Sequence, residues 1–88
     1  MYTATELIPS VCDIISRLLP STEVPLTEAT SLPRLQGFDS LFIANLLESL
    51  ETLLEIEIEP ALLLPEAFET PQSVAELFVR SQNQANSK

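Results

Sequence analysis

Gly37-Phe38-Asp39-Ser40-Leu41-Phe42-Ile43-Ala44-Asn45-Leu46-Leu47-Glu48-Ser49-Leu50-Glu51-Thr52-Leu53-Leu54 is the stretch that decides the fold of this 88-residue chain. From Leu41 onward, apolar residues recur at Ile43, Leu46, Leu47, Leu50, Leu53 and Leu54, which is the spacing of one helix face. Glu48, Glu51 and Glu55 fall largely on the other side. Asp39 is a favoured N-cap, able to accept from the unpaired N–H groups of the first turn. Ser40 is then the first helical residue, beside free backbone donors and the positive end of the helix dipole. A phosphodiester on its oxygen would be stabilised there, as anions are at helix N-termini. Gly37, the only glycine of the chain, permits a tight turn into the helix and leaves no side chain to obstruct an approaching enzyme. The plainer reading of Asp-Ser-Leu is a good helix start without chemistry, and most such pairs are no more than that.

The same organisation extends outward. Leu7, Val11, Ile14, Ile15, Leu18 and Leu19 mark a first amphipathic helix, from near Thr5 to just before Pro20, after a short lead of residues 1–4. Pro9 is tolerated within the first turn and would kink the helix further in. Residues 20–38 contain Pro20, Pro25 and Pro33 and form a long connection, with Val24, Leu26, Leu32, Leu35 and Phe38 expected to tuck it onto the core. The second helix covers about 39–55. Glu55-Ile56-Glu57-Ile58-Glu59 alternates with period two, but no partner strand is in sight, so it reads as a helix end passing into an extended link stopped by Pro60. Residues 61–68 suggest a short third helix, limited by Pro65. Thr70-Pro71 opens a last helix with Val74, Leu77 and Phe78 on its apolar side. Residues 81–88 are polar and aperiodic and read as a loose tail. The expected fold is all-α: one domain over 1–88, a small four-helix bundle of three main helices and one short one, with a long loop between the first two.

Composition narrows the chemistry. There are 13 acidic residues against 4 basic ones, for a formal charge of −9. Between Arg34 and Arg80 stand nine carboxylates and no Lys or Arg. Nucleic acid and anionic membranes are unfavourable partners for such a surface, and a basic patch on another protein is its complement. The charge also keeps a small protein soluble. With no histidine and one cysteine, neither the usual zinc ligand sets nor a Ser-His-Asp or Cys-His site can be assembled. No catalytic residue, no metal and no enzymatic activity are therefore expected. Cys12 sits among Val11, Ile14 and Ile15 and reads as a buried, unreactive thiol. No signal peptide is apparent and the apolar runs are too short to span a bilayer, so the cytoplasm is the expected location and no stable membrane insertion is expected.

Gly37-Phe38-Asp39-Ser40-Leu41, then Leu46-Leu47-Glu48-Ser49-Leu50-Glu51, Glu57-Ile58-Glu59-Pro60 and Leu64-Pro65-Glu66-Ala67-Phe68-Glu69-Thr70 resemble an acyl carrier protein, or the carrier domain of polyketide and peptide synthetases. The likeness covers roughly residues 5–80. It implies that Ser40, within the attachment motif Gly37, Phe38, Asp39 and Leu41, carries a 4′-phosphopantetheine arm transferred from coenzyme A by a phosphopantetheinyl transferase. An acyl or aminoacyl group would ride on the arm's thiol as a thioester, put there by a loading ligase and passed to a downstream synthase or transferase. The exposed side of the second helix is the expected recognition surface, with Leu41, Phe42, Asn45, Glu48 and Glu51 as contact candidates. Phe42 has two readings, an exposed anchor or a ring folded back under the long loop. Glu48 and Glu51 are docking charges or simply a solvated helix face.

Departures from the family pattern carry information as well. Phe42 and Asn45 stand where housekeeping fatty-acid carriers commonly have carboxylates. This points away from the standard fatty-acid synthase and toward a specialised, free-standing, monomeric carrier for a polyketide, a modified acyl chain or an amino acid. Asp39 before the serine leans to the acyl-carrier branch. Ile43 and the leucine-rich second helix would fill the bundle interior and favour small cargo. The alternative class is a carrier-like helical interaction module without cargo.

Overall fold

The computed structural model describes residues 2–19 and 26–86 (side chains to 83). Three α-helices dominate: α1 (Ala4–Leu18), α2 (Ser40–Leu54) and α3 (Pro71–Asn86). No strand occurs among the described residues. The short third helix is realised as two 3-10 turns, Pro60–Leu62 and Pro65–Phe68. Each begins on a proline, whose fixed φ suits the start of a turn and whose missing N–H interrupts a longer helix. A further 3-10 turn, Leu32–Arg34, lies in the long loop.

Each helix starts where its local chemistry dictates. Thr3 and Glu6 form a reciprocal capping box at α1, so Thr3 and Ala4 of the expected lead belong to the helix start. Tyr2 is tied further, its N–H donating to Gln82 Oε1 (2.9 Å) and its carbonyl accepting from Gln82 Nε2 (2.7 Å). Pro9 lies beyond the first turn, yet α1 continues through it. Pro9 has no N–H for the Thr5 carbonyl, so that one bond is missing from the helix ladder. At α3, the N–H of Ser73 donates to Thr70 Oγ1 (3.1 Å) and that of Thr70 to Ser73 Oγ (3.0 Å). This is a second reciprocal cap, with Pro71 as first helical residue.

The core is one cluster. α1 contributes Leu7, Val11 and Ile15, and it packs closely on both α2 and α3. α2 contributes Phe42, Leu46, Leu50 and Leu54, an unbroken i, i+4 row. The buried stripe is therefore rotated from the expected one. Phe42 joins it, while Leu53 turns outward and is 55% exposed. Val74, Ala75, Leu77 and Phe78 come from α3, and Leu32, Ile56, Ile58 and Phe68 from the connections. Burying each large apolar side chain stabilises by roughly 1.5–3 kcal/mol.

The connections are stitched rather than loose. Leu32 N–H donates to the Glu69 carbonyl (2.8 Å) and Gln72 N–H to the Glu28 carbonyl (3.1 Å), which lays the long loop against the start of α3. Leu32 is fully buried, and Leu26, Leu35 and Phe38 are half-buried as expected; Val24 lies outside the described residues. α2 ends on Glu55 in the left-handed region (φ 56°). The extended link that follows buries Ile56 and Ile58 and exposes Glu55 and Glu57. It is pinned on one side by Glu51 Oε2, which accepts from Ile58 N–H (3.0 Å), and on the other by Ser81 Oγ, which accepts from Glu59 N–H (3.2 Å). Contrary to the expected loose tail from residue 81, α3 continues to Asn86, with Ser81 and Gln82 buried. These side chains satisfy backbone groups, which keeps polar residues inside without penalty.

Candidate functional site

The site is assembled at the junction of the long loop and α2. Gly37 has φ 96°, a conformation that a side chain strains, and a Cβ there would stand 2.8 Å from Leu19 Cδ2. The glycine thus lets the loop press against the end of α1 as the chain turns into α2. Asp39 follows in extended conformation and caps the helix: its Oδ1 accepts from Phe42 N–H at 2.8 Å, and its carbonyl accepts from Ile43 N–H at 3.0 Å. Ser40 is the first residue of α2 and is exposed. Its own N–H and that of Leu41 lie in the first turn, where the helix offers no acceptor. An exposed hydroxyl beside two such donors can hold a phosphodiester, with the anion facing the positive helix end. Through Oδ1, Asp39 holds the first turn of α2 that carries Ser40.

Leu41 is 69% exposed beside Ser40, and Asn45 and Glu48 are exposed further along the helix. These three stand on the outer surface as expected. Two other recognition candidates do not. Phe42 is only 4% exposed, its ring 5.7 Å from that of Phe38 at 51°. The loop folds over it, and of its two readings the inward one holds. Glu51 is half-buried, and its carboxylate serves the Ile58 N–H; it fastens the end of α2 and is not a free docking charge.

Two surface clefts flank this region. The first, about 160 Å³, is lined by Leu18 and Leu19 of α1 together with Gly37, Asp39, Leu41, Phe42 and Asn45. A second and wider one, about 530 Å³, runs on past Leu18 and Asn45 to Glu48, Ser49, Thr52 and Leu53. Thr52 was expected on the outward face of the second helix; Leu18, Ser49 and Leu53 were not among the expected site residues. Apolar spacing had assigned Leu53 to the buried face, so no sequence signal singled it out. Cys12 stands apart from this surface on α1; it is half-buried, and burial pushes its thiol above the usual range. Among the described residues no group of three potential ligands could hold a metal ion, and no helix is long and apolar enough to cross a membrane.

The family model for the phosphopantetheine attachment site matches residues 9–78. The chain therefore belongs to that family, the phosphopantetheine-binding carrier proteins, whose prosthetic group is a covalently attached 4′-phosphopantetheine. Among solved structures it is similar to the holo acyl carrier protein of Geobacter metallireducens, determined by solution NMR, with a TM-score of 0.67 and 21% identity over 91% of this chain and 90% of that one. That likeness concerns the fold: three main helices with a short helical element before the last. No curated protein sequence matches the chain.

Proposed function

We propose that Ser40 is the attachment residue, and that the protein carries an acyl or aminoacyl group to the enzymes of a specialised biosynthetic pathway. The observation that carries this reading is the exposed hydroxyl at the first position of α2, behind a capping Asp39 and a positive-φ Gly37, within the span matched by the family. The arm supplies a terminal thiol, which holds cargo as a thioester.

The chain's own residues supply place rather than catalysis. Asp39 fixes the first turn, so that the Ser40 oxygen and the adjacent N–H groups keep one geometry. Gly37 lets the loop lie flat against Leu19 and leaves the approach to Ser40 open. The chain has no histidine, and the transferase supplies the group that takes the proton of the Ser40 hydroxyl. Leu41 offers an apolar contact beside the hydroxyl, and Asn45 and Glu48 extend the surface. Partners with a basic rim are favoured by the uninterrupted acidic stretch from Asp39 to Glu76. The corresponding partners are a phosphopantetheinyl transferase, an acyl- or aminoacyl-loading ligase and a downstream synthase or transferase. Holding an intermediate on a tether raises its concentration at each of them.

Intact-protein mass spectrometry tests this. The protein is incubated with coenzyme A, magnesium and a broad-specificity phosphopantetheinyl transferase, beside Ser40→Ala. One phosphopantetheine increment is expected on the wild type and none on the variant, with equal helicity by circular dichroism. An increment that persists on Ser40→Ala would move the attachment point elsewhere. No increment on folded wild type, with another carrier modified in the same tube, would favour the interaction module.

A further inference from the structure

The two clefts share Leu18 and Asn45 and form one continuous groove between the end of α1 and the outer face of α2. It begins at Asp39 and Leu41, the residues on either side of Ser40, and ends at the exposed Leu53. On the inner side of α2, Leu46 and Leu50 are fully buried in packed side chains.

We propose that this α1–α2 groove is a docking track for the phosphopantetheine arm, leading the thioester toward Thr52 and laying its cargo over Leu53 on the outside of the bundle. The proposal rests on Ser40 being the attachment residue. Its argument is a match of register between the chemistry of the arm and the lining of the groove.

An extended chain advances a little over 1 Å per skeletal bond, which puts the thirteen bonds from phosphorus to sulfur at about 15 Å. Along α2 the rise is about 1.5 Å per residue. The gem-dimethyl carbon of the arm, three bonds from phosphorus, falls at about 4 Å, beside Leu41 in the part of the groove that Leu18 and Leu19 also line. The first amide lies at about 7 Å, and Asn45, five residues on, stands at about the same height. Its carboxamide both donates and accepts. The second amide lies at about 11 Å, and Ser49 at about 13 Å offers a hydroxyl. The sulfur then arrives short of Thr52 and Leu53, at about 18–20 Å along the helix, so that an acyl group extends over the Leu53 side chain. Along α2 the lining runs from Leu41 through Asn45, Glu48, Ser49 and Thr52 to Leu53, so the two amides of the arm meet the polar middle of the groove and its two ends meet leucines. Such an open track suits a short cargo, because nothing encloses a long one.

The test is methyl and amide NMR on apo and holo protein, with loading checked by mass. Intermolecular-type contacts between the arm's gem-dimethyl protons and the Leu18 and Leu41 methyls are expected on the holo form. Shifts of the Asn45 side-chain amide, and shielding of the Leu53 methyls from a paramagnetic cosolute when a short acyl group is attached, are expected with them. In Asn45→Ala holo protein the shielding at Leu53 should fall while the arm stays attached. Contacts to Ile43 and Leu47 would put the arm on the opposite flank of α2 and overturn the track. Shifts confined to Ser40 and its neighbours, meaning a free arm, would overturn it equally. A missing mass increment is a separate failure: it would remove the attachment reading and this proposal together.

Discussion

Glu51→Ala separates a structural carboxylate from a docking one. Glu51 Oε2 accepts from Ile58 N–H at 3.0 Å, and Ile58 itself is only 8% exposed. A hydrogen bond to a charged acceptor contributes about 1.5–3 kcal/mol, and leaving a buried donor unpaired costs a similar amount. Glu51 is half-buried, so water replaces part of the bond, and the lower end, about 1.5 kcal/mol, is the expected loss. In a domain of this size that lowers Tm by roughly 6–12 °C. Glu51→Gln keeps an oxygen at the position and loses only the charge, at about 0.5 kcal/mol. Glu48→Ala, on the exposed face, should stay within about 0.5 kcal/mol of wild type. Thermal and urea unfolding of the three variants give the ordering directly, and transferase kinetics on each supply the second axis. If Glu51→Ala unfolds with the wild-type midpoint while raising the transferase KM, the carboxylate is a docking charge and the reasoning from the Ile58 contact fails.

Gly37→Ala combines a positive φ with a Cβ 2.8 Å from Leu19 Cδ2; left-handed strain of about 1–2 kcal/mol plus displacement of Leu19 predicts a loss of about 2–3 kcal/mol by urea titration. Phe42→Ala should cost about 3–5 kcal/mol, and a variant that instead folds normally but binds its transferase poorly would restore the exposed-anchor reading. Cys12 is expected to react slowly with a thiol reagent at neutral pH, since burial raises its pKa. The native state holds this proton more tightly than the unfolded chain, so the associated stability is full below the unfolded thiol's pKa and is lost as pH rises through the higher folded one. Cys12→Ala should flatten that alkaline decline in unfolding free energy, and an unchanged slope would count against it.

What could be read from sequence and what could not divides along the range of the forces involved. The start of α2 was legible because capping is local: Asp39, Ser40 and the Phe42 N–H lie within one turn. The Thr70-Pro71 start of α3 was legible for the same reason. Phe42 was ambiguous because its burial depends on where the loop residue Phe38 comes to rest. Glu51 looked like surface because its partner N–H is seven residues away, across a left-handed turn at a glutamate, where glycine or asparagine is the usual signal. The end of α3 was misread because Ser81 and Gln82 are buried through hydrogen bonds to the backbone. Polar residues satisfied in that way leave no apolar period to detect. The α1–α2 groove needed the packing angle of two helices, which neither helix states alone.

The division of labour around α2 follows from these contacts. The Phe42–Leu46–Leu50–Leu54 row is committed to the core, and the Glu51 carboxylate to the connection behind the helix. What remains for other molecules is the arc through Leu41, Asn45, Glu48, Thr52 and Leu53, two leucines separated by polar and acidic groups on an exposed strip. Isolated exposed leucines need no special account in a small protein. Here they sit at the two ends of one groove, and one of them adjoins the exposed Ser40. Glu48 on the strip, with the net charge of −9, opposes self-association at low salt and favours basic partners, while the groove beside it is proposed to seat a neutral, amide-bearing chain. On that proposal a partner enzyme would read Glu48 and Leu41 and receive the cargo end from the same face, without the bundle having to open.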